Sequence, residues 1–357
     1  MGRPQVRADI ALRKGYHSPQ LDVDVRLNTN EAPEPPPPGF DDAVQRAVAN
    51  IAWNRYPDRS AMALRSAIGE RYGREGDEVF VANGSNEVLQ TLMLTFGGAG
   101  RTAAVFEPTY ALHSHISKTT ATEVVEGERA EDFSLDLDEV DRIVSTHSPE
   151  VVFLCSPNNP TGVVDPPQTV DRVLQTMAGT NGLLIVDEAY GQFSPHSAVT
   201  QLGEDAPLVV SRTFSKTWSM AAARLGYLLA PRWLVAELEK VVLPYHLDSF
   251  KQAAGLAALE FGDEMTARVE GIVSERERLV AALESLPVKV WPSGANFLLF
   301  KADEMDGDEL WQGLVDRSVL VRNCSSWPRL NGSLRVTVGT PEENDRFLAA
   351  LGDVLVP

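Results

Sequence analysis

Cysteine is nearly absent from this chain: two residues in 357, Cys155 and Cys324, far apart. That argues against a disulfide framework and sets the expectation of a reducing, cytoplasmic environment. Positive charge is also scarce. Lysine and arginine number 32 against 50 aspartates and glutamates, for a net charge of −18. Such a surface repels nucleic acid and anionic lipid, so neither is expected as a partner. Long apolar runs are missing as well. None reaches the roughly 18 residues of a membrane span, and the opening MGRPQVRADIALRKGY has no apolar stretch suited to a signal peptide. Histidine is sparse, and His113 and His115, two apart, have no carboxylate or cysteine completing a ligand set. They read as surface or packing residues, and no metal site is expected.

What is present is ordinary globular material. Apolar residues make up 43% of the chain, enough for one large domain or two of usual size. Residues 1–40 read as an extended arm, because APEPPPPG (32–39) suits neither helix nor central strand. SAMALRSAIGERYG (60–73) has helical periodicity and a glycine stop. Strands and helices then alternate. EVFVA, TAAVF, VVFLC, LLIVD, LVVSRTF and LGYLLA read as strands of a mostly parallel sheet with helices on both faces. The pattern changes near Pro244. A helical region spans about 249–286, and VKVWPSGANFLLF, SVLVR and SLRVTVG read as strands. The expectation is an arm over 1–40, a large α/β domain over 41–245 and a smaller α+β domain over 246–357. The N-terminal segment can pack against the last.

Three segments follow predicted strands and so fall at one sheet edge, where open α/β sheets bind ligands. They are SPNNPTG (156–162), DEAY (187–190) and SK (215–216). Singly, each has a plain explanation: a turn, a helix cap, a solvated lysine. Their succession is harder to dismiss. An amine, a carboxylate and an amide at one edge suit pyridoxal phosphate chemistry. There the amine forms a Schiff base and the carboxylate keeps the pyridine nitrogen protonated.

PNNPTG, DEAY, RTFSK with ARLGY, NFLLF and LRVTVGT, in that order, resemble the fold-type I pyridoxal-phosphate-dependent aminotransferases. With LNTNEAP (27–33), RYPD (55–58) and NGSNE (83–87), the likeness is strongest to histidinol-phosphate aminotransferases and covers nearly the whole chain. The resemblance implies a role for each matching residue. Lys216 corresponds to the Schiff-base lysine and proton shuttle, with its pKa lowered by burial and by Arg224. Asp187 corresponds to the partner of the pyridine nitrogen. Tyr190 and Asn159 match the groups that bond the cofactor's phenolic oxygen, and Tyr110 the residue stacked on its ring. Gly84, Ser85 and Asn86 at a helix N-terminus, with Ser215 and Arg224, match the phosphate site. Tyr56 resembles the tyrosine that reaches the phosphate from a second subunit, which implies a homodimer. Arg335 and Arg322 match contacts to the substrate's anionic end, and Tyr16 and Asn30 donors from the arm. Glu188 has no role in this scheme beyond pairing with a structural partner. One local departure is SKTWSMAAAR, where relatives often read SKAFGLAGLR; the Lys216-to-Arg224 spacing is kept.

The reaction implied is amino transfer between L-histidinol phosphate and 2-oxoglutarate, within histidine biosynthesis. Two alternatives share the scaffold: an aromatic amino acid aminotransferase and a threonine-phosphate decarboxylase. A third, a regulator with an aminotransferase-like sensing domain, conflicts with the acidic charge and the short segment before the core.

Overall fold

The computed structural model describes residues 3–7, 10 and 19–355. Its strands begin with β1 (Val25–Leu27), β2 (Val79–Ala82), β3 (Thr102–Glu107) and β4 (Glu123–Glu128). Next come β5 (Val151–Cys155), β6 (Leu183–Asp187), β7 (Leu208–Thr213) and β8 (Gly226–Leu229). The last four are β9 (Val288–Val290), β10 (Phe297–Ala302), β11 (Val319–Asn323) and β12 (Ser333–Thr337). The helices are α1 (Phe40–Ala49), α2 (Met62–Glu70), α3 (Ser85–Phe96), α4 (Leu112–Thr119), α5 (Leu137–His147) and α6 (Gln168–Thr176). After these come α7 (Arg232–Leu238), α8 (Ser249–Leu259), α9 (Gly262–Leu283), α10 (Gly307–Val315) and α11 (Pro341–Leu355).

The apolar runs VVFLC and LLIVD are β5 and β6, and every residue in both is buried. Strands without polar alternation are covered on both faces, and alternate residues feed separate cores. Val152, Leu154, Leu184 and Val186 face one core, while Val151, Phe153, Leu183 and Ile185 face the other. The sheet has seven strands in the order β2-β8-β7-β6-β5-β3-β4. Neighbours from β7 through β4 pair in parallel, and β8 runs antiparallel to both β7 and β2. The reversal at β8 has a local cause. A parallel return needs a crossover that travels the strand's length, usually a full helix, and residues 214–225 hold only a turn of 3-10 helix, Ala221–Ala223. That short connection keeps Lys216 at the sheet's carboxyl edge.

The structure adds one strand and refines two sequence expectations. EVVEGE is strand β4 at the sheet edge, although its charges hid it; carboxylates on an exposed edge discourage further pairing. The helical region near 249–286 is two helices, with a break at Glu260 and Phe261. The arm over 1–40 is not wholly irregular, because β1 pairs in parallel with β11.

The second sheet has five strands in the order β1-β11-β12-β10-β9. It buries its own core, built around Phe297, Phe300, Leu334 and Phe347. Helices α9, α10 and α11 pack on it, whereas α8 packs against α1 and α2. Helix α9 also touches Gly191–Phe193, just past β6, so the two sheets meet beside the carboxyl edge of the first.

Candidate active site

Because β2, β3, β5, β6 and β7 share one direction, the loops after them converge. With residues 28–31, Trp327 and Arg335 from the other sheet, they enclose a cavity of about 390 Å³. Lys216, Asp187, Tyr190, Asn159, Tyr110, Ser85, Asn86, Ser215, Arg224, Asn30 and Arg335 all line it. Gly84 sits directly behind Arg224. Arg322 stands beside Arg335 on the next strand without lining the cavity. Tyr56 lies elsewhere on the surface, 79% exposed. Tyr16 lies outside the described residues.

Asp187 ends β6 almost fully buried, and three groups contact its carboxylate, which leaves room for one more donor. Ser211 Oγ donates to Oδ1 at 3.0 Å and the Ala189 amide at 3.1 Å. His113 Nε2 lies 3.0 Å from Oδ2, and the imidazole stacks on Phe153 with centroids 4.7 Å apart. With the ring proton on Nε2, the imidazole donates to the carboxylate. His113 is therefore a buried carboxylate partner and not only a packing residue. Sequence reading missed it because a lone histidine on a short helix has no spacing signal.

Lys216 Nζ donates to the carbonyl of Thr29 at 2.9 Å and lies 5.8 Å from the centre of the Tyr190 ring. Burial pushes its amine down to about 7; the Arg335 charge adds to this, Glu31 opposes it, and Arg224 adds a further push. A neutral amine near pH 7 is a competent nucleophile and base. Arg224 acts in the expected direction, but Arg335 has the larger effect.

The Tyr190 hydroxyl accepts from Asn30 Nδ2 at 2.9 Å and from Asn159 Nδ2 at 3.3 Å. Burial pushes its pKa up to about 12, opposed by Arg335. Asn159 Oδ1 in turn accepts from Arg335 Nη1 at 2.5 Å, and the Asn28 carbonyl from Nη2 at 3.0 Å. Asn30 is itself buried, its amide donating to Thr337 Oγ1 at 3.0 Å. The arm, the Asn159 loop and β12 thus meet in one hydrogen-bonded knot.

At the other end, Gly84 precedes α3 with φ +85°. A side chain there would meet Arg224 Nη2 at 2.8 Å from its Cβ. Arg224 adopts a left-handed backbone, φ +50°, uncommon outside glycine, and donates to Ser215 Oγ at 3.3 Å. A helix N-terminus, a guanidinium and two serine hydroxyls make a cradle for a small anion. Tyr110 Oη donates to Asn86 Oδ1 at 3.3 Å beside it. The altered stretch SKTWSMAAAR does not disturb this end. Trp218 is buried against Phe214 and lies under the Arg71 guanidinium.

Arg322 and Arg335 are direct cross-strand partners on β11 and β12, so both point to one side of that sheet. Like charges so placed repel unless an anion shares them. Glu188 finds the structural partner expected of it. It pairs with Arg212 at 2.5 Å, with both side chains nearly fully buried, and also accepts from the Ala198 amide and the Ser197 hydroxyl.

The aminotransferase class I and II family matches residues 23–351 of this chain. A histidinol-phosphate aminotransferase of Frankia casuarinae is 46% identical over 352 residues, covering 95% of this chain and 87% of the relative. Among solved structures, that of histidinol-phosphate aminotransferase from Sinorhizobium meliloti, in complex with pyridoxal-5′-phosphate, superimposes with a TM-score of 0.85. It is 24% identical and covers 93% of this chain and 91% of that one. L-threonine-O-3-phosphate decarboxylase from Porphyromonas gingivalis has a TM-score of 0.80 at 20% identity, covering 94% and 100%. At those identities the two structures establish the fold alone, which both reactions share.

Proposed function

We propose that this chain, which belongs to the aminotransferase class I and II family, moves the amino group of L-histidinol phosphate to 2-oxoglutarate with pyridoxal 5′-phosphate as cofactor. The observation that carries this reading is one cavity that holds Lys216, Asp187, an anion cradle and Arg335 together.

The residues present fit the cofactor. Its phosphate would be held by Arg224, Ser215, Ser85 and Asn86, in the cradle that a side chain at residue 84 would fill. Its ring nitrogen would face Asp187, and its phenolic oxygen Tyr190 and Asn159. When bound, it supplies an aldehyde that holds the donor amine and a ring that takes up electrons released at the donor's Cα. Lys216 Nζ, half neutral near pH 7, removes the proton from the donor's Cα and returns one to the oxo acid's Cα in the other half-reaction. Asp187, held by three donors, keeps a fixed negative charge against the ring nitrogen. Arg335 binds the donor's phosphate, and in the second half-reaction a carboxylate of 2-oxoglutarate; guanidinium suits both.

The active form is a homodimer in this reading. Tyr56 stacks on Tyr245 with centroids 4.5 Å apart, and Trp53 packs on Phe250 at 5.1 Å. All four rings are exposed, as is Leu243. A cluster of this kind marks an interaction surface, and a second copy would cover it and bring Tyr56 to the neighbouring site. The two free, buried cysteines suit a reducing compartment, in keeping with a cytoplasmic enzyme. Among the described residues, no helix is long and apolar enough to cross a membrane.

The test is donor specificity, measured on purified protein with added cofactor. Histidinol phosphate should be preferred over phenylalanine and tyrosine by kcat/KM. Preference for the aromatic amino acids would replace this reading with the aromatic aminotransferase, and carbon dioxide release from O-phosphothreonine would replace it with the decarboxylase.

A further inference from the structure

The loop that leaves β11 carries one side chain that no motif announces. Trp327 lines the same cavity as Lys216 and Arg335. Its ring lies 5.3 Å from the guanidinium carbon of Arg322. The two arginines are cross-strand neighbours, and only Arg335 lines the cavity. Whatever orients Arg322 therefore decides whether an anion there meets one guanidinium or two.

We infer that Trp327 is a specificity-determining positioning residue. The indole holds Arg322 face-on, so that its guanidinium reinforces Arg335 at the phosphate end of the donor. This rests on the phosphate-bearing donor proposed above. Stacking on an aromatic face fixes the plane of a guanidinium while leaving its N–H edge able to bind.

The loop is built to keep the ring in place. The Trp327 amide donates to Cys324 O at 2.9 Å, and the Leu330 amide to Trp327 O at 3.2 Å. Arg329 reaches across to the other sheet, donating to the carbonyls of Arg129 and Ala130. Trp327 also rests on a small apolar cluster that includes Trp291, Leu299 and Leu330. A tryptophan placed only to fill that cluster would have no need to lie against Arg322, the cross-strand neighbour of the cavity-lining Arg335.

The experiment compares Trp327→Leu, which stays apolar but loses the π face, with Trp327→Phe, which keeps a face. In Trp327→Leu holoenzyme, KM for histidinol phosphate should rise about tenfold, with kcat and the KM for 2-oxoglutarate changed less than about twofold. Trp327→Phe should recover most of the loss. Inorganic phosphate, titrated calorimetrically into each holoenzyme, should bind about tenfold more weakly to Trp327→Leu than to wild type. Equal KM changes for both substrates, unchanged phosphate affinity, or no recovery in Trp327→Phe would overturn the inference. If wild type fails to turn over histidinol phosphate, the functional reading falls. The phosphate titration then still decides the role of Trp327.

Discussion

The imidazole of His113 and the carboxylate of Asp187 face each other at 3.0 Å, both almost fully buried, with Asp187 lining the cavity and His113 behind it. A carboxylate that is to face a cofactor ring must stay still. His113 supplies one of its three donors and, stacked on Phe153, cannot swing away. His113→Leu removes that donor at similar bulk. A lost hydrogen bond to a charged group corresponds to roughly 1.5–3 kcal/mol, so kcat should fall about 10- to 100-fold. The cofactor's dissociation constant, read from its visible absorbance, should rise as well. Unchanged values for both would show that Ser211 and the Ala189 amide suffice.

Lys216 should titrate near neutrality. Its amine is held at about 7 by burial and by Arg335, so the reactive neutral form dominates above that pH and is lost below it. An ordinary lysine reaches this state only near pH 10.4. Competitive labelling of cofactor-free protein with a limiting amine reagent, followed by peptide mass spectrometry, should give a midpoint near pH 7 for Lys216. Arg335→Leu removes a charge that lowers this pKa, so the midpoint should move upward. A midpoint near 10 in wild type would contradict the picture.

The Glu188–Arg212 pair ties the residue that follows Asp187 at the end of β6 to β7, the strand that leads to Lys216. Both charges are buried, so removing one leaves the other uncompensated. Glu188→Ala should cost about 3–5 kcal/mol in denaturant unfolding. Glu188→Gln, which keeps some of the hydrogen bonds to Ser197 and the Ala198 amide, should cost less. A loss below about 1 kcal/mol in Glu188→Ala would mean that water reaches the pair.

Tyr56 can serve a second copy only if sites are shared. Mixtures of Lys216→Ala and Tyr56→Ala chains, unfolded and refolded together, test this. A hybrid would carry one site with both residues intact, so equal mixing should restore about a quarter of wild-type sites. No recovery above the sum of the two parents would rule out sharing.

How far the sequence speaks for the fold depends on the element. VVFLC and LLIVD are legible because a strand covered on both faces needs no polar alternation, and their ends locate Asn159 and Asp187. Lys216 follows from the same rule applied to β7. The charged edge strand β4 is not legible, since edges select against the apolar signal used to find strands. The direction of β8 depends on connection length and not on its own residues. His113 and Trp327 escape for other reasons: His113 works through Asp187, far away in sequence, and Trp327 lies on a loop whose course brings it onto Arg322 in no periodic pattern. Asn30 was legible by motif, but its bond to Tyr190 needed the arm's position.

The most direct measurement is borohydride reduction of cofactor-loaded protein, followed by peptide mapping. A single pyridoxyl group fixed to the ε-nitrogen of Lys216 is expected, absent from a Lys216→Ala variant that keeps its circular dichroism and loses turnover. A label on any other lysine, no label at all, or near-normal turnover in Lys216→Ala would contradict the central claim.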